Sequence, residues 1–103
     1  MEKKPELKIE KIVQMYAVYD RVAEIYMPAF SCENHSKAMQ GFADAVNDPR
    51  GVIIKHPSEY DLYFMSTFNQ RTGETKNYIQ FLANAKELLK VQVKNEQDNK
   101  ALN

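Results

Sequence analysis

Two pairs of strand-like segments, set on either side of one short helical stripe, are the feature that most constrains this chain of 103 residues. The first pair covers residues 12–19 and 23–27, and the second covers residues 61–68 and 75–82. β-branched and aromatic residues are frequent in them, which is typical of strands, and successive side chains of a strand point to opposite faces. Short polar breaks inside each pair predict two antiparallel hairpins.

One helix is predicted between the hairpins, because apolar residues recur at helical spacing from residue 38 to residue 46. Asn34 or Ser36 can cap this helix by accepting a hydrogen bond from a backbone N–H of its first turn. Pro49 ends it, since the residue before a proline avoids the α region. Beyond residue 84 the chain is rich in strong helix formers, and it predicts a second, C-terminal helix.

These elements predict a small single domain of the α+β class, with an antiparallel sheet of two hairpins, one central helix and a C-terminal helix, in the order β-β-α-β-β-α. The predicted domain covers residues 12–95, between a flexible N-terminal tail at 1–11 and a frayed C-terminal tail at 96–103. An alternative begins the last helix at Tyr78. The hairpin loop before it favours a strand instead, because Asp61 to Phe68 needs a partner.

The charge balance is unlike that of most duplex-DNA-binding proteins. Fourteen basic and fourteen acidic residues give a formal net charge of zero. Proteins that contact many phosphates usually carry a basic excess, since counterion release supplies most of their non-specific affinity. Any nucleic-acid contact therefore has to rely on a local basic patch, on base stacking, or on a basic face built by oligomerisation.

No motif in the chain indicates catalysis or a metal. The chain has no phosphate loop, zinc-binding helix or nucleophile elbow. Cys32, His35 and His56 are one ligand short of a closed structural zinc site. We therefore expect a protein that is not an enzyme, with no cofactor and no metal. No apolar run approaches the ~18 residues of a membrane span, so no membrane contact is expected.

The aromatic residues offer the first candidate binding site. Six tyrosines and no tryptophan are present, mostly on the predicted strands. A tyrosine ring can stack on an unpaired base or pack a sheet against helices, and both alternatives stay open here. Basic residues in the neighbouring loops can contact phosphates, although a solvated surface is the simpler explanation. The candidate nucleic-acid-binding residues are Tyr16, Tyr26, Tyr63, Arg50, Lys55, Arg71 and Lys76.

The predicted C-terminal helix raises the question of a partner. Its apolar stripe is thin, and a helix on so small a domain needs a surface to bury that stripe. Packing across its own sheet is one solution, and a symmetric homodimer is the other.

Several short motifs follow one another at close spacing: MYAVYD from Met15, PAF from Pro28, FADAVNDP from Phe42, HP from His56, YDLY from Tyr60 and FNQRTG from Phe68. In this order, over about residues 13–75, they resemble the small nonstructural protein of gokushoviruses. Gokushoviruses belong to the Microviridae, phages with circular single-stranded DNA genomes.

The resemblance implies a nonstructural phage protein in the host cytoplasm, in a family sometimes described as DNA-binding. That family is likened to the microvirus protein that switches genome replication toward single-strand synthesis and packaging. It carries over no catalytic residues. We expect a single-stranded DNA-binding protein that acts in these steps. The alternative is a docking module that contacts a phage or host replication or capsid protein without nucleic acid.

Overall fold

Five antiparallel strands form one sheet in the computed structural model, which describes residues 11–90. The elements, in chain order, are β1 (Ile12–Asp20), β2 (Ile25–Tyr26), β3 (Phe30–Cys32), α1 (His35–Val46), β4 (Tyr60–Asn69) and β5 (Thr75–Asn84), with 3₁₀ turns at Ile53–Lys55, Pro57–Glu59 and Ala85–Leu88. β1 pairs with β4 along its whole length on one side and with the short β2 and β3 on the other, while β5 pairs with the far side of β4.

The core lies between one face of the sheet and α1. Tyr16 of β1 and Leu62 of β4 are fully buried there, against the apolar stripe of the helix. That stripe is made by residues at positions i, i+4 and i+8, which share one helix face: Ala38, Phe42 and Val46. No helix within residues 11–90 is long and apolar enough to cross a membrane.

The start of α1 follows the sequence closely. Asn34 is the N-cap, and its side-chain oxygen accepts a hydrogen bond from the backbone N–H of Lys37 at 2.9 Å. Of the two capping residues predicted, Asn34 is therefore the one used. The helix ends at Val46, before Pro49, as its sequence predicts.

The opposite face of the sheet has no cover among the described elements. Side chains alternate between the two faces of a strand, so residues 17 and 19 of β1 point away from the core that holds Tyr16. Large rings stay exposed on that side, including Tyr26 and Phe81. We call this side the open face.

The predicted hairpins β1–β2 and β4–β5 are confirmed, as is the antiparallel α+β arrangement. The order is wrong by one strand, because residues 30–32 also pair with β1 after the break at Pro28. The second strand is shorter than predicted. Residues 21–24 form a turn, in which Glu24 has a positive φ of 62°.

The C-terminal helix is not found in the described residues. Ala85–Leu88 is a 3₁₀ turn, and the backbone is extended again at Leu89. Asn47 fixes this segment at the end of α1, because its Nδ2 donates to the carbonyl of Leu88 at 2.9 Å and its Oδ1 accepts from Lys90 N at 2.8 Å. The rest of the predicted helix lies outside the described residues, as do the predicted C-terminal tail and all but the last residue of the N-terminal tail.

Because the core lies on one face of the sheet, substitutions there should lower the free energy of unfolding more than substitutions at exposed positions. Val46→Ala removes two buried methyl groups from α1 and should lower the free energy of unfolding by about 2 kcal/mol. Val52→Ala makes the same change at an exposed position and should have an effect near zero. Urea unfolding followed by circular dichroism measures both, and equal losses would contradict the assigned core.

Candidate nucleic-acid interface

Four aromatic rings from four strands lie side by side on the open face. Tyr19 of β1 stands with its ring centroid 4.7 Å from that of Tyr26 of β2 and 6.2 Å from that of Tyr63 of β4. Tyr63 in turn lies 5.6 Å from Tyr26 and 5.8 Å from Phe81 of β5. We call these four rings the aromatic row. Ala17 is almost fully buried on this face, because neighbouring side chains cover it.

The turn after β1 brings the first two rings together. The carboxylate of Asp20 accepts hydrogen bonds from the backbone N–H groups of residues 22 and 23, at 2.9 and 3.0 Å. Glu24 then adopts its positive φ, and the chain reverses. Tyr26 consequently pairs with Tyr19 across the hairpin, and directly opposed side chains share one face.

The two ends of the row are its most accessible rings. Tyr26 is 41% exposed and Phe81 is 47% exposed, while Tyr19 and Tyr63 between them are half-buried. Burial raises the pKa of Tyr63 above its ordinary value of 10.0, and the negative charge of Asp61 adds to this rise. At physiological pH its phenol is therefore neutral. An uncharged ring of this kind suits stacking on a base.

One cation, Arg21, lies beside the aromatic row. Its Nε donates to Oδ2 of Asp61 at 2.7 Å, and Asn84 Nδ2 donates to the other carboxylate oxygen at 2.8 Å. Asp61 is buried, whereas the Arg21 side chain is 53% exposed, so the carboxylate anchors a guanidinium that reaches solvent. The hydrogen bond to Asp61 raises the pKa of Arg21 further, and its positive charge is permanent. Arg21 was not among the candidate nucleic-acid-binding residues chosen from the sequence. Its position in the turn between Tyr19 and the second strand could have indicated it.

Tyr16 does not belong to this face. It is fully buried, with its hydroxyl 2.7 Å from Nδ1 of His35 and its ring against Phe30 and Phe64. Its ring is therefore not presented to a base, which corrects the selection of Tyr16 as a stacking residue. The physical reason is strand alternation, which sends Tyr16 and Tyr19 to opposite faces.

The four basic residues selected from the sequence lie away from the aromatic row. Arg50 and Lys55 are in the connection between α1 and β4, whose 3₁₀ turn packs on α1. Lys76 pairs with Thr67 on the face that holds Tyr16, and Arg71 is in the loop between β4 and β5. Of the selected residues, the structure thus brings together Tyr26 and Tyr63. A phosphate-contacting role for the other four stays a prediction.

Beyond the row, the open face continues into an apolar hollow. Its lining is almost entirely of carbon and sulfur atoms, and its residues are Met15, Ala29, Met65, Ser66, Phe68 and Thr75. Exposed apolar surface of this kind is typical of binding sites for other molecules, including other proteins. The hollow and the aromatic row together make the open face the main candidate surface of the described chain.

A family described as Phage ORF5 protein matches residues 13–88, which is most of the chain and includes the aromatic row, Arg21 and α1. The comparison with curated proteins gives no match, and the comparison with solved structures gives none.

The Arg21–Asp61 pair makes a second stability prediction. Arg21→Ala leaves the buried carboxylate of Asp61 with one donor fewer, and it should measurably lower the free energy of unfolding. Arg50→Ala is the matched control. Its side chain is 89% exposed and its ion pair with Asp48 is superficial, so its effect should be near zero. Equal effects in urea unfolding would show that the pair does not anchor the turn.

Proposed function

The chain belongs to the Phage ORF5 protein family, and we propose that it is a non-enzymatic phage protein that binds single-stranded DNA through the open face of its sheet. The observation that carries the proposal is the aromatic row with Arg21 beside it. Rings exposed on a sheet whose other face packs on a helix are one established way of stacking unpaired bases.

The zero net charge of the chain is consistent with binding by base stacking. Stacking contributes ~1–3 kcal/mol per base and needs no large positive potential, so a chain of zero net charge can use it. Arg21 places one permanent positive charge at the row, where it can meet a phosphate while Asp61 keeps it in position. Duplex DNA lacks exposed base faces, and it should bind this surface more weakly than single strands do.

The motif order that resembles the gokushovirus nonstructural protein supports the finer assignment. We place the protein in the host cytoplasm of a microvirus infection, in genome replication or in the switch to single-strand synthesis and packaging. Replication and packaging of a single-stranded genome both present unpaired bases to such a surface.

A second candidate function is docking on a phage or host replication or capsid protein. The apolar hollow beside the aromatic row favours it, because carbon-lined surface next to tyrosines is typical of protein interfaces. The two functions differ in their response to salt. DNA binding weakens as salt rises, whereas apolar docking changes little.

Binding to a fluorescently labelled oligothymidylate, followed by anisotropy at low and moderate salt, tests the DNA proposal. Tyr26→Ala removes the exposed end of the row and should weaken binding by ~5- to 150-fold, the equivalent of one lost stacking contact. Tyr26→Phe keeps the ring and should bind nearly as wild type does.

Tyr78→Ala is the matched control, since Tyr78 is 64% exposed but contacts Phe64 on the face that holds Tyr16. It should leave affinity unchanged. Lys55→Glu tests the basic residues on the α1 side in the same assay and should have a smaller effect than Tyr26→Ala. No binding at low salt, or equal losses in Tyr26→Ala and Tyr78→Ala, would contradict the proposal and favour docking.

A further inference from the structure

The guanidinium of Arg21 is held through one of its nitrogens, Nε, which donates to Oδ2 of Asp61 at 2.7 Å. Asn84 donates to the other oxygen of that carboxylate, and Asp61 is only 2% exposed. A guanidinium carries five N–H donors in a rigid plane, of which Nε supplies one. Within residues 11–90 the N–H groups of the two Nη atoms therefore remain for a ligand, in an orientation that the buried carboxylate fixes.

This guanidinium lies at one end of the aromatic row. Asp61 is directly opposed to Tyr19 in the β1–β4 pair, so both side chains belong to the open face. Burial raises the pKa of Tyr63 and the positive charge of Arg21 opposes that rise, so the guanidinium is within electrostatic range of the Tyr63 hydroxyl. Tyr26 belongs to the same hairpin as Arg21 and lies 5.6 Å from Tyr63. A base that stacks on Tyr26 therefore has Arg21 beside its edge.

The charges around Arg21 favour an uncharged ligand over a phosphate. Two acidic residues share its turn, a third follows Asn84's partner strand at its start, and the carbonyl of a fourth accepts from the Arg21 backbone N–H at 2.8 Å. These four are Asp20, Glu24, Asp61 and Glu59. Their negative charges oppose the approach of an anion. The edge of a base is neutral, and it meets no such repulsion.

We propose that Arg21 makes guanine the preferred base of the bound strand, with its Nη groups donating to O6 and N7 while the ring stacks at the Tyr26 end of the row. Guanine presents these two acceptors side by side, whereas adenine has a donor in place of O6. A bidentate contact of this kind favours the correct base by ~5- to 150-fold. The inference rests on the proposed function and names the base that the same surface selects.

Anisotropy with oligothymidylates that carry one central guanine, adenine or cytosine tests the preference. The guanine-bearing strand should bind ~5- to 150-fold more tightly than the adenine-bearing one, which controls for the stacking of a purine. Replacing that guanine by 7-deazaguanine, which has a C–H group in place of N7, should remove most of the difference while the protein stays unchanged.

Arg21→Lys tests the residue. Lysine keeps the positive charge but lacks the planar pair of donors, so the ratio of guanine to adenine affinity should fall to near one. Arg50→Lys makes the same change at a side chain that is 89% exposed and away from the aromatic row, and it should keep the wild-type ratio. Circular dichroism establishes that each variant is folded.

Three results would overturn the inference: equal affinity for the guanine- and adenine-bearing strands, an equal gain with cytosine, or a guanine preference that survives Arg21→Lys or 7-deazaguanine. Each of them leaves binding to oligothymidylate, and with it the proposed function, intact. Absence of binding to every strand would overturn both.

Discussion

One twelve-residue helix, roughly 18 Å long, is the main cover that the described chain supplies for a sheet of five strands. A helix of this size can bury one face of such a sheet only in part. Tyr16, Leu62 and Phe64 therefore form the core with α1, and the opposite face has to be stable in contact with water. Tyrosine meets that requirement, because its ring packs against neighbours while its hydroxyl is hydrated. The open face and its aromatic row follow from this imbalance.

The long pairing of β1 with β4 positions the residues of the candidate site on the open face. It places Tyr19 beside Asp61, and thereby Arg21 of the following turn against a buried carboxylate. Asn84 at the end of β5 donates to the other oxygen of Asp61, so β4, β5 and the turn after β1 meet at one carboxylate. This polar contact fixes the turn that carries β2, and with it the exposed ring of Tyr26. Stability and the geometry of the proposed interface therefore depend on the same group.

Local signals in the sequence were sufficient for much of the fold. Strand-forming residues predicted β1 and β4, and the cap at Asn34 and the proline at 49 bounded α1. In the loop between β4 and β5, Gly73 has a positive φ of 82°. The missed strand β3 has three residues and depends on a partner distant in sequence. The segment after Asn84 has helical propensity, but hydrogen bonds from Asn47 hold residues 88–90 in another conformation.

The candidate site was harder to predict for a similar reason. The tyrosine content left exposed rings and packed rings as open alternatives, and composition cannot assign Tyr16 and Tyr19 to opposite faces. That assignment needs the position of α1, which only the packed structure supplies. Arg21 was missed because its partner, Asp61, is forty residues away in the chain. Arg50 and Lys55 were selected as phosphate contacts because they lie in loops, but both lie on the α1 side of the sheet and not on the open face.

Mapping of the interface by NMR tests the central claim most directly, namely that the open face is the binding surface. Amide spectra of the isotope-labelled protein would be recorded during titration with oligothymidylate. We predict that the largest shift changes fall on residues around Tyr26, Tyr63 and Phe81 and on Arg21, with α1 little affected. Changes centred on α1 and Lys55, or no change at all, would contradict the claim.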